Sequence, residues 1–429
     1  MAIEFAKKYK VIGYDISSER ISQLMNFDDI TLEIASEEIS KVFVSSINSF
    51  KDNIGFYPTT NLQDIRDSNI YIVTVPTPVD SSKPDLSFFN SVNITIGKVI
   101  EKGNIVIYIS TFYPGYTEKE CIPIIVKISG LKYNLDFFAG YSPERINPGD
   151  KINTLSKIKK ITSGSTPHIA DLVNNLYASI ITAGTYKTSS IMAESAKIIE
   201  NAQRDINIAF VNELAKIFNL LEIDTSKVLE AAGTKWNFMP FKPGLLRGHC
   251  IGVYPYYLAQ KAMKIGYHSE IILAGRKLND SMPRYISSEV IKLMAKKNIT
   301  INNFNVLILG ITFKENCNDI RNSKIIDIVY QLNEYGISVW VYDPIAISEN
   351  VEKECGLKNT NIIPDQVYDG IILAVSHNTF KKFNLKKNLK KIPSFMIVNH
   401  SLIKKWLINA FKNLYYEKSL NYCFYPSLY

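Results

Sequence analysis

Short apolar runs alternate with amphipathic stretches over the first third of the chain. The runs are Lys10–Asp15, Asn69–Val75, Asn104–Ser110 and Phe137–Ala139. Strands that are buried on both faces have near-continuous apolar sequences, and their alternation with helices is typical of a parallel, doubly wound sheet. Ligands bind such a sheet at the carboxyl ends of its strands. We therefore expect the residues that follow these runs to line a site.

The pattern changes to a helical one from about Ser189 to Met294. Residues 191–220 predict one helix of about 45 Å, at about 1.5 Å per residue, which could bridge two lobes and offer a dimer surface. A loop rich in glycine and proline interrupts this region at residues 240–252. The pattern indicates a central helical domain with a functional loop inside it.

A second α/β pattern begins at Asn305. A strand at 306–309 is followed by a turn at Gly310, a helix at 323–335 and a strand at 339–342 that ends at Asp343. Apolar runs at 370–375 and 395–398 complete its sheet. The predicted domains are 1–185, a Rossmann-like dinucleotide domain, 186–298, the central helical domain, and 299–429, a second Rossmann-like domain.

The two α/β patterns differ at their starts. The second pattern has the order strand, glycine turn, helix, strand and aspartate. The first pattern begins with the end of a helix over residues 1–10, followed by a strand and Asp15. The strand and glycine turn that should precede this helix are missing. A dinucleotide fold uses that strand at its sheet centre, and its glycines let backbone N–H groups approach a pyrophosphate. We therefore expect the N-terminal domain to be truncated, without its first strand and glycine loop.

Composition narrows the class of protein. Of the 429 residues 46% are hydrophobic and 21% charged, which is typical of a soluble globular chain with two or three cores. No apolar run approaches the roughly 20 residues of a membrane span, and no signal peptide is evident. Five scattered cysteines form no CxxC pair, which favours a cytoplasmic location and argues against a metal site.

The formal net charge is +8, and a basic balance suits an anionic ligand such as a nucleotide diphosphate. Lysines cluster near the C-terminus at Lys381, Lys382, Lys386, Lys387, Lys390 and Lys391. A solvated surface explains this cluster more simply. No aromatic interleaving or folded motif supports nucleic-acid binding.

The loop at residues 241–257 carries the sharpest chemical signal. It places Cys250 among glycines and next to His249. A thiol can add to an aldehyde and hold it covalently through a second oxidation. The alternative is a buried, inert cysteine, which is generally the commoner case.

Three further side chains are candidates for the chemistry. Lys197 and Asn201 lie one helical turn apart and so share a face of the long helix, where an ammonium and an amide could stabilise an alkoxide. Glu144 follows a strand and could handle a proton or orient a water. An exposed helix face and a surface ion pair with Arg145 are the respective alternatives.

Asp15 ends a strand where an acidic residue holds an adenosine ribose in dinucleotide folds. Arg20, five residues further on, could cover the adenine. Taken alone this is a weak signal, because an aspartate that caps the next helix would look the same.

Several long ordered segments give the chain a clear resemblance. They are VPTPVD (75–80), STFYPG (110–115), GYSPERINPGDK (140–151), AAGTKWNFMPFKPG (231–244), GHCIGV (248–253) and GITFKENCNDIRNSK (310–324). Together they resemble the UDP-glucose/GDP-mannose dehydrogenase family, most closely its bacterial branch that acts on UDP-N-acetylhexosamines. The resemblance covers nearly the whole chain.

The resemblance implies a role for each matched residue. Cys250 would form a thiohemiacetal and then a thioester, Lys197 and Asn201 would stabilise the oxyanions, and Glu144 would assist hydrolysis. NAD would contact Asp15, Arg20, Thr77, Thr111 and Arg321. The nucleotide sugar would contact Phe241, Gly244, Gly248, Phe313 and Lys314.

The reaction implied is a four-electron, NAD-dependent oxidation of the sugar C6 hydroxyl to the uronic acid, as a precursor of surface polysaccharide. The family is typically dimeric or larger, with the long helix at the interface.

The sequence departs from the family pattern at three further positions. Tyr254 stands where the family has an aspartate four residues after the cysteine, Arg247 replaces a glycine, and Ile109 replaces a glutamate. A phenol with a pKa near 10 is a poor base at neutral pH. These departures leave open an alternative, a non-catalytic relative that at most binds a nucleotide sugar.

Overall fold

A computed structural model describes most of the chain. It covers residues 1–31, 33–77, 79–80, 83–147, 149–150, 152–246, 252, 254–296, 298, 300–301, 304–357, 359–360, 362–363, 368–382, 395–399 and 422–425. Arg247, Gly248 and Cys250 therefore lie outside the described residues. The chain divides into two compact units, Met1–Asn201 with Tyr256–Tyr267 and Ala202–Pro255 with His268–Tyr429. The three-domain division stays a prediction.

The helices of the described residues have the following bounds. They are α1 Ala2–Ala6, α2 Ser18–Met25, α3 Ser36–Val42, α4 Ser87–Gly97, α5 Ile122–Ser129, α6 Pro167–Ala178, α7 Ser190–Leu220, α8 Thr225–Ala232, α9 Tyr254–Lys264, α10 Glu270–Lys296, α11 Ile325–Glu334 and α12 Ser348–Cys355. Short 3₁₀ turns occur at Leu62–Ile65, Leu155–Lys157 and Asn378–Lys382, and a π-helical turn, Thr117–Cys121, leads into α5.

The strands follow the predicted apolar runs and add several short ones. They are β1 Lys10–Tyr14, β2 Gly55–Thr59, β3 Ile70–Val73, β4 Val79–Asp80, β5 Lys83–Pro84, β6 Ile105–Tyr108, β7 Phe138–Tyr141, β8 Lys160–Thr162, β9 Thr185–Lys187, β10 Asn305–Leu309, β11 Ser338–Tyr342, β12 Asn359–Thr360, β13 Gly370–Leu373, β14 Phe395–Asn399 and β15 Tyr422–Tyr425.

The first unit contains parallel strands in separate sections. Strands β3, β6 and β7 form one sheet, β1 pairs with β2, and β8 pairs with β9, all in parallel. All four residues of the central strand β6 are buried, because its apolar side chains meet packed elements on both faces. Within the described residues β1 and β3 do not pair with each other.

The second unit carries the predicted α/β pattern in full. Its sheet has the order β12-β11-β10-β13-β14-β15, and every pair is parallel. The strand order reverses between β10 and β13, and a crevice for a ligand forms beyond the carboxyl ends at such a point. Gly310 ends β10 there with a φ of 89°, and a Cβ on it would lie 2.5 Å from the Val375 Cβ. Only glycine fits this turn without displacing its neighbour.

The long helix of the sequence prediction is confirmed as α7, which has 31 residues. Small and branched side chains such as Ala193, Ile198 and Ala209 are buried. Large apolar side chains on other positions of α7 are exposed, namely Ile191, Met192, Ile199, Phe210, Ile217 and Leu220. No helix in the described part of the chain is both long and apolar enough to cross a membrane.

Candidate active site

Glu144 follows strand β7 in the first unit. Its Oε1 accepts hydrogen bonds from the backbone N–H groups of Arg145 at 2.7 Å and Ile146 at 2.8 Å. Its Oε2 accepts one from Lys160 Nζ at 3.3 Å. Partial burial of the carboxyl opposes ionisation, but the Lys160 ammonium and the two N–H groups outweigh it, so the pKa of Glu144 lies below its ordinary value. Glu144 is therefore ionised at neutral pH.

Lys160, the partner of Glu144, was missed by the sequence analysis. It opens strand β8 with a side chain that is 2% exposed, and its Nζ lies 5.4 Å from the centre of the Tyr177 ring. Burial lowers the pKa of Lys160; Glu144 opposes that shift, and the positive charges of Lys197 and Arg145 add to it. A signal was present in the sequence, because Lys160 directly precedes the apolar Ile161 in a strand-like run.

Lys197 and Asn201 both lie on α7, as predicted. Lys197 is buried, Asn201 is partly buried, and the Asn201 Nδ2 donates to the backbone oxygen of Lys197 at 3.3 Å. The segment of Glu144 meets this helix directly, because Nη2 of the neighbouring Arg145 lies 2.8 Å from Glu200 Oε1, and Glu200 is one turn after Lys197 on α7. This contact brings the segment of Glu144 to the part of α7 that carries Lys197.

The carboxyl ends of β3 and β6 carry the two candidate threonines. Thr77 and Thr111 are both buried. Ser110 Oγ donates to the backbone oxygen of Val75 at 2.6 Å and so joins the two strand ends. Thr77 and Thr111 therefore lie near the ends of two neighbouring strands of one sheet.

Glu194 fixes the loop that follows Thr111, and the sequence analysis did not single it out. Its fully buried carboxylate accepts hydrogen bonds from the N–H groups of Gly115 and Thr117 and from Thr117 Oγ1. Burial raises the pKa of Glu194, although these hydrogen bonds oppose the shift. Since Glu194 precedes Lys197 by one turn of α7, the loop is tied to the helix face that carries Lys197.

Asp15 and Arg20 lie beside the start of α2. Asp15 Oδ1 accepts from the N–H of Ser17 at 2.8 Å, and Ser17 is the residue that caps α2. Arg20 is directed to the buried Asp29, with 2.7 Å between Nη2 and Oδ1. The second carboxylate oxygen of Asp15 accepts no hydrogen bond from a described residue, and Asp15 is exposed, so this oxygen is open to a ribose diol.

The loop that leads to Cys250 is anchored inside the second unit. The Asn212 side chain binds the backbone of Gly244 reciprocally: its Nδ2 donates to the Gly244 oxygen at 3.0 Å, and its Oδ1 accepts from the Gly244 N–H at 2.6 Å. Phe241 is partly buried, and Tyr254, the first residue of α9, is buried. Two candidate site residues of this loop, Gly248 and Cys250, lie outside the described residues.

Phe313, Lys314 and Arg321 lie in the segment that follows β10. The Phe313 N–H donates to the Asp319 backbone oxygen at 2.9 Å. Arg321 pairs with the Asp319 carboxylate through Nε at 3.0 Å and Nη2 at 2.7 Å. Thr312 Oγ1 lies 3.2 Å from the Nε2 of His377, a residue that follows β13, and the Asn316 N–H donates to His377 Nδ1 at 2.9 Å. Phe313 and Lys314, between Thr312 and Asn316, therefore lie beside the crevice between β10 and β13, where a ligand is expected.

Behind this segment lies a pair that the sequence analysis did not single out, Asp343 and His377. Both are fully buried, and His377 Nε2 lies 3.0 Å from Asp343 Oδ2. Asp343 directly follows β11, so the end of a strand marks it in the sequence. His377 has no such mark.

Comparison with known proteins gives three family-model matches. The UDP-glucose/GDP-mannose dehydrogenase family models match over residues 1–181 for the NAD binding domain, 192–281 for the central domain and 307–403 for the UDP binding domain. Together they span most of the chain, in the order expected from the sequence.

Two relatives match at high identity. A UDP-N-acetyl-D-glucosamine 6-dehydrogenase of Pseudomonas aeruginosa is 53% identical over 415 residues, which cover 96% of this chain and 95% of the relative. A protein of the same name from Salmonella typhi is 51% identical over 89% of this chain and 88% of the relative. Among solved structures, UDP-D-ManNAc dehydrogenase from Pyrococcus horikoshii superposes with a TM-score of 0.82 at 27% identity, over 99% of this chain and 95% of that one.

Proposed function

Since the chain belongs to the UDP-glucose/GDP-mannose dehydrogenase family and is an NAD-dependent nucleotide-sugar dehydrogenase, we propose that it oxidises the C6 hydroxyl of a UDP-N-acetylhexosamine to the carboxylate. The relatives with the highest identities given above are named for UDP-N-acetyl-D-glucosamine, which supports this sugar class. The product is a uronic acid for surface polysaccharide synthesis, and the location is the cytoplasm.

The observation that carries the proposal is the charged group around Glu144. The buried Lys160 donates to Glu144 at 3.3 Å, and the neighbouring Arg145 lies 2.8 Å from Glu200, one helical turn after Lys197 on α7. An ionised carboxylate and a buried ammonium are the two charges that oxidation and hydrolysis require, one to orient a water and one to stabilise an oxyanion.

The reaction runs in two oxidations with Cys250 as the nucleophile. Asp15, Thr77 and Thr111 would hold NAD, which when bound would supply the acceptor for a hydride from C6 in each oxidation. After the first, the thiol of Cys250 adds to the aldehyde, and after the second the carbon is held as a thioester. Lys197 and Asn201 stabilise the oxygen that carries negative charge in these steps, and a water oriented by Glu144 releases the acid.

The residues of the chain fit NAD at the sheet edge of the first unit. Asp15 offers its second oxygen to the adenosine ribose, and Thr77 and Thr111 line the carboxyl ends of β3 and β6. Arg20, in the same unit, is a further proposed contact. It is paired with Asp29, which holds its guanidinium in one orientation.

The nucleotide sugar is assigned to loops of the second unit. Phe313 and Lys314 beside the crevice would meet the nucleotide. Phe241, Gly244 and Gly248 would meet the sugar, and the Asn212 hydrogen bonds to Gly244 support the first part of that loop.

The exposed stripe on α7 supports a homodimer or a larger assembly. Met192 and Ile199 are seven residues apart, as are Phe210 and Ile217, and all four are exposed. Apolar residues that recur every seven positions form a seam for another helix. Sedimentation velocity would test this, and Ile199→Lys with Phe210→Lys should dissociate the assembly.

The test of the activity is NADH formation by the purified protein with UDP-N-acetylglucosamine or UDP-N-acetylgalactosamine. We expect two NADH per uronic acid from the wild type, and from Cys250→Ala at most one NADH per sugar and no uronic acid. UDP-glucose serves as the comparison substrate. One NADH per sugar from the wild type, with an aldehyde as the product, would contradict the thioester route.

A second candidate function rests on Tyr254, which replaces a family aspartate with a poor base. In that case the protein binds the nucleotide sugar without oxidising it. Calorimetric titration with UDP-N-acetylglucosamine separates the two: binding without NADH formation favours the second candidate, and steady turnover excludes it.

A further inference from the structure

Lys160 is a lysine whose side chain lies in the protein interior. Its side chain is 2% exposed, and lysine is almost never so deeply buried unless it is paired. Its partner is the Glu144 carboxylate at 3.3 Å, and the Tyr177 ring lies on its other side. Such a buried ammonium loses its hydration and needs compensation.

Stability is a weak reason for this pair. A buried ion pair is often neutral or unfavourable compared with apolar residues of similar volume, because desolvation offsets the attraction. The Glu144 side chain is 35% exposed, so it is not a fully buried charge that needs a buried cation beside it. An apolar side chain at position 160 would avoid the cost of desolvating a lysine, so the pair is better explained by what it does to Glu144.

Other charged and titratable groups face the pair from several elements. They are the α-amino group of Met1, which precedes α1, Arg145 next to Glu144, Tyr177 from α6 and Lys197 from α7. Arg145 is already engaged, with Nη2 at 2.8 Å from Glu200 and Nη1 at 2.7 Å from the Lys159 oxygen. Burial raises the pKa of Tyr177, which stays neutral. Among the described side chains, Lys160 is the cation that donates directly to Glu144.

We propose that Lys160 is a positioning residue for the hydrolytic step: its ammonium keeps Glu144 ionised and holds Oε2 in place, so that Glu144 orients the attacking water. This inference rests on the proposed function. The water oxygen bonds to the thioester carbon, the carbon–sulfur bond breaks, and sulfur leaves as a thiolate that takes one water proton. The carboxylic acid releases the other proton to solvent.

The role predicts a specific change in pH dependence. A nearby opposite charge lowers a carboxyl pKa by about 1–3 units. When the ammonium is removed, the partial burial of Glu144 is no longer offset and favours the protonated carboxyl. A protonated carboxyl is a weaker hydrogen-bond acceptor for the water than a carboxylate. Loss of Lys160 should therefore move the acid limb of turnover toward neutral pH.

The experiment compares Lys160→Met with Lys160→Arg and with the control Lys159→Met. Lys159 is exposed and adjacent, so its replacement removes the same formal charge outside the cluster. The measurement is kcat from about pH 5 to pH 9. In Lys160→Met we expect the acid-side fall of kcat to occur about 1–3 pH units higher than in the wild type. In Lys160→Arg and Lys159→Met we expect it at the wild-type pH. An unchanged limb in Lys160→Met, whatever its rate, would overturn the inference.

A second readout does not depend on turnover. The ¹³C-carboxyl resonance of Glu144, assigned by its loss in Glu144→Gln, should titrate at higher pH in Lys160→Met than in the wild type. If methionine prevents folding, Lys160→Gln removes the charge and keeps a donor, and the same upward shift is expected. If the wild type forms no NADH from any UDP-sugar, the proposed function fails, but the resonance still decides the electrostatic role. A resonance that does not move in either variant would contradict that role.

Discussion

Two carboxylates follow the ends of parallel strands, one in each unit, and each pairs with a basic side chain. They differ in how many of their hydrogen-bond acceptor positions are filled. In the first unit Glu144 is 35% exposed and accepts from two backbone N–H groups and Lys160. In the second unit Asp343 is fully buried and accepts from His377 and from four backbone N–H groups, those of Ile311, Thr312, Ile345 and Ala346.

The Asp343 pair acts as a fixed support. His377 Nδ1 accepts from the Asn316 N–H at 2.9 Å, so the ring proton lies on Nε2 and is donated to Asp343. The two side chains thus hold both ends of the segment that carries Phe313 and Lys314. A carboxylate whose acceptor positions are all filled can order a loop, whereas one that is partly exposed can still bind water or substrate.

The largest expected effect is on turnover in the first unit. Glu144→Gln removes the charge and keeps the shape, and loss of a group that acts on the reacting water should lower kcat by about 100- to 10,000-fold. Initial rates of NADH formation measure this, with KM for the UDP-sugar little changed. Glu101→Gln is the control, since Glu101 is an exposed carboxylate of the same unit. A variant that keeps most of its kcat would remove Glu144 from the chemistry.

The second effect is on stability in the second unit. Asp343→Asn replaces an acceptor oxygen by an NH₂ group that faces buried N–H donors, and each buried donor left without an acceptor costs about 1–3 kcal/mol. Urea unfolding followed by tryptophan fluorescence reports on this unit, because Trp236 and Trp340 lie in it. Asp327→Asn is the control, because its pair with Lys324 is partly exposed, with side chains that are 44% and 30% exposed. Equal midpoints for the two variants would show that Asp343 is not a structural support.

The two units also indicate which strands and helices can be predicted from the sequence. Strands such as β6 and β10 were predictable because residues buried on both faces must be apolar over a continuous run. Strand β2 was missed, since Gly55 and Pro58 are typical of turns. The Gly310 turn and the α7 helix followed from glycine placement and periodicity.

Side-chain partners were harder to predict than elements. Lys160 lies among Lys157 and Lys159, and charge alone does not say which of the three enters the interior. Glu194 and His377 acquire their partners through contacts between residues far apart in sequence. The contact of Arg145 with Glu200, which brings the segment of Glu144 to the part of α7 that carries Lys197, is likewise a product of the tertiary fold.

The third prediction concerns pH in the second unit. Burial would raise the pKa of Asp343, but His377 and the backbone donors outweigh this and lower it below the ordinary value of 3.8. The unfolded chain therefore binds the proton more tightly, so this stabilisation is fully present above about pH 3.8 and disappears as pH falls through the lower folded pKa. Urea midpoints at descending pH should show a fall that Asp343→Asn lacks. Parallel curves for the two proteins would contradict the assignment.

The smallest effect is expected where an ion pair is exposed. Arg66 and Glu101 lie 3.4 Å apart with side chains that are 59% and 57% exposed, and such pairs contribute about 0–1 kcal/mol. Arg66→Met should change thermal stability within that range, and added salt should reduce even this difference because it screens exposed charges. Lys160→Met in parallel provides the buried counterpart in the same unit. Suppose that Arg66→Met lowered stability as much as Asp343→Asn. An exposed ion pair would then contribute as much to stability as a buried carboxylate whose acceptor positions are all filled. Burial would in that case not be what distinguishes the structural pairs from the surface pairs.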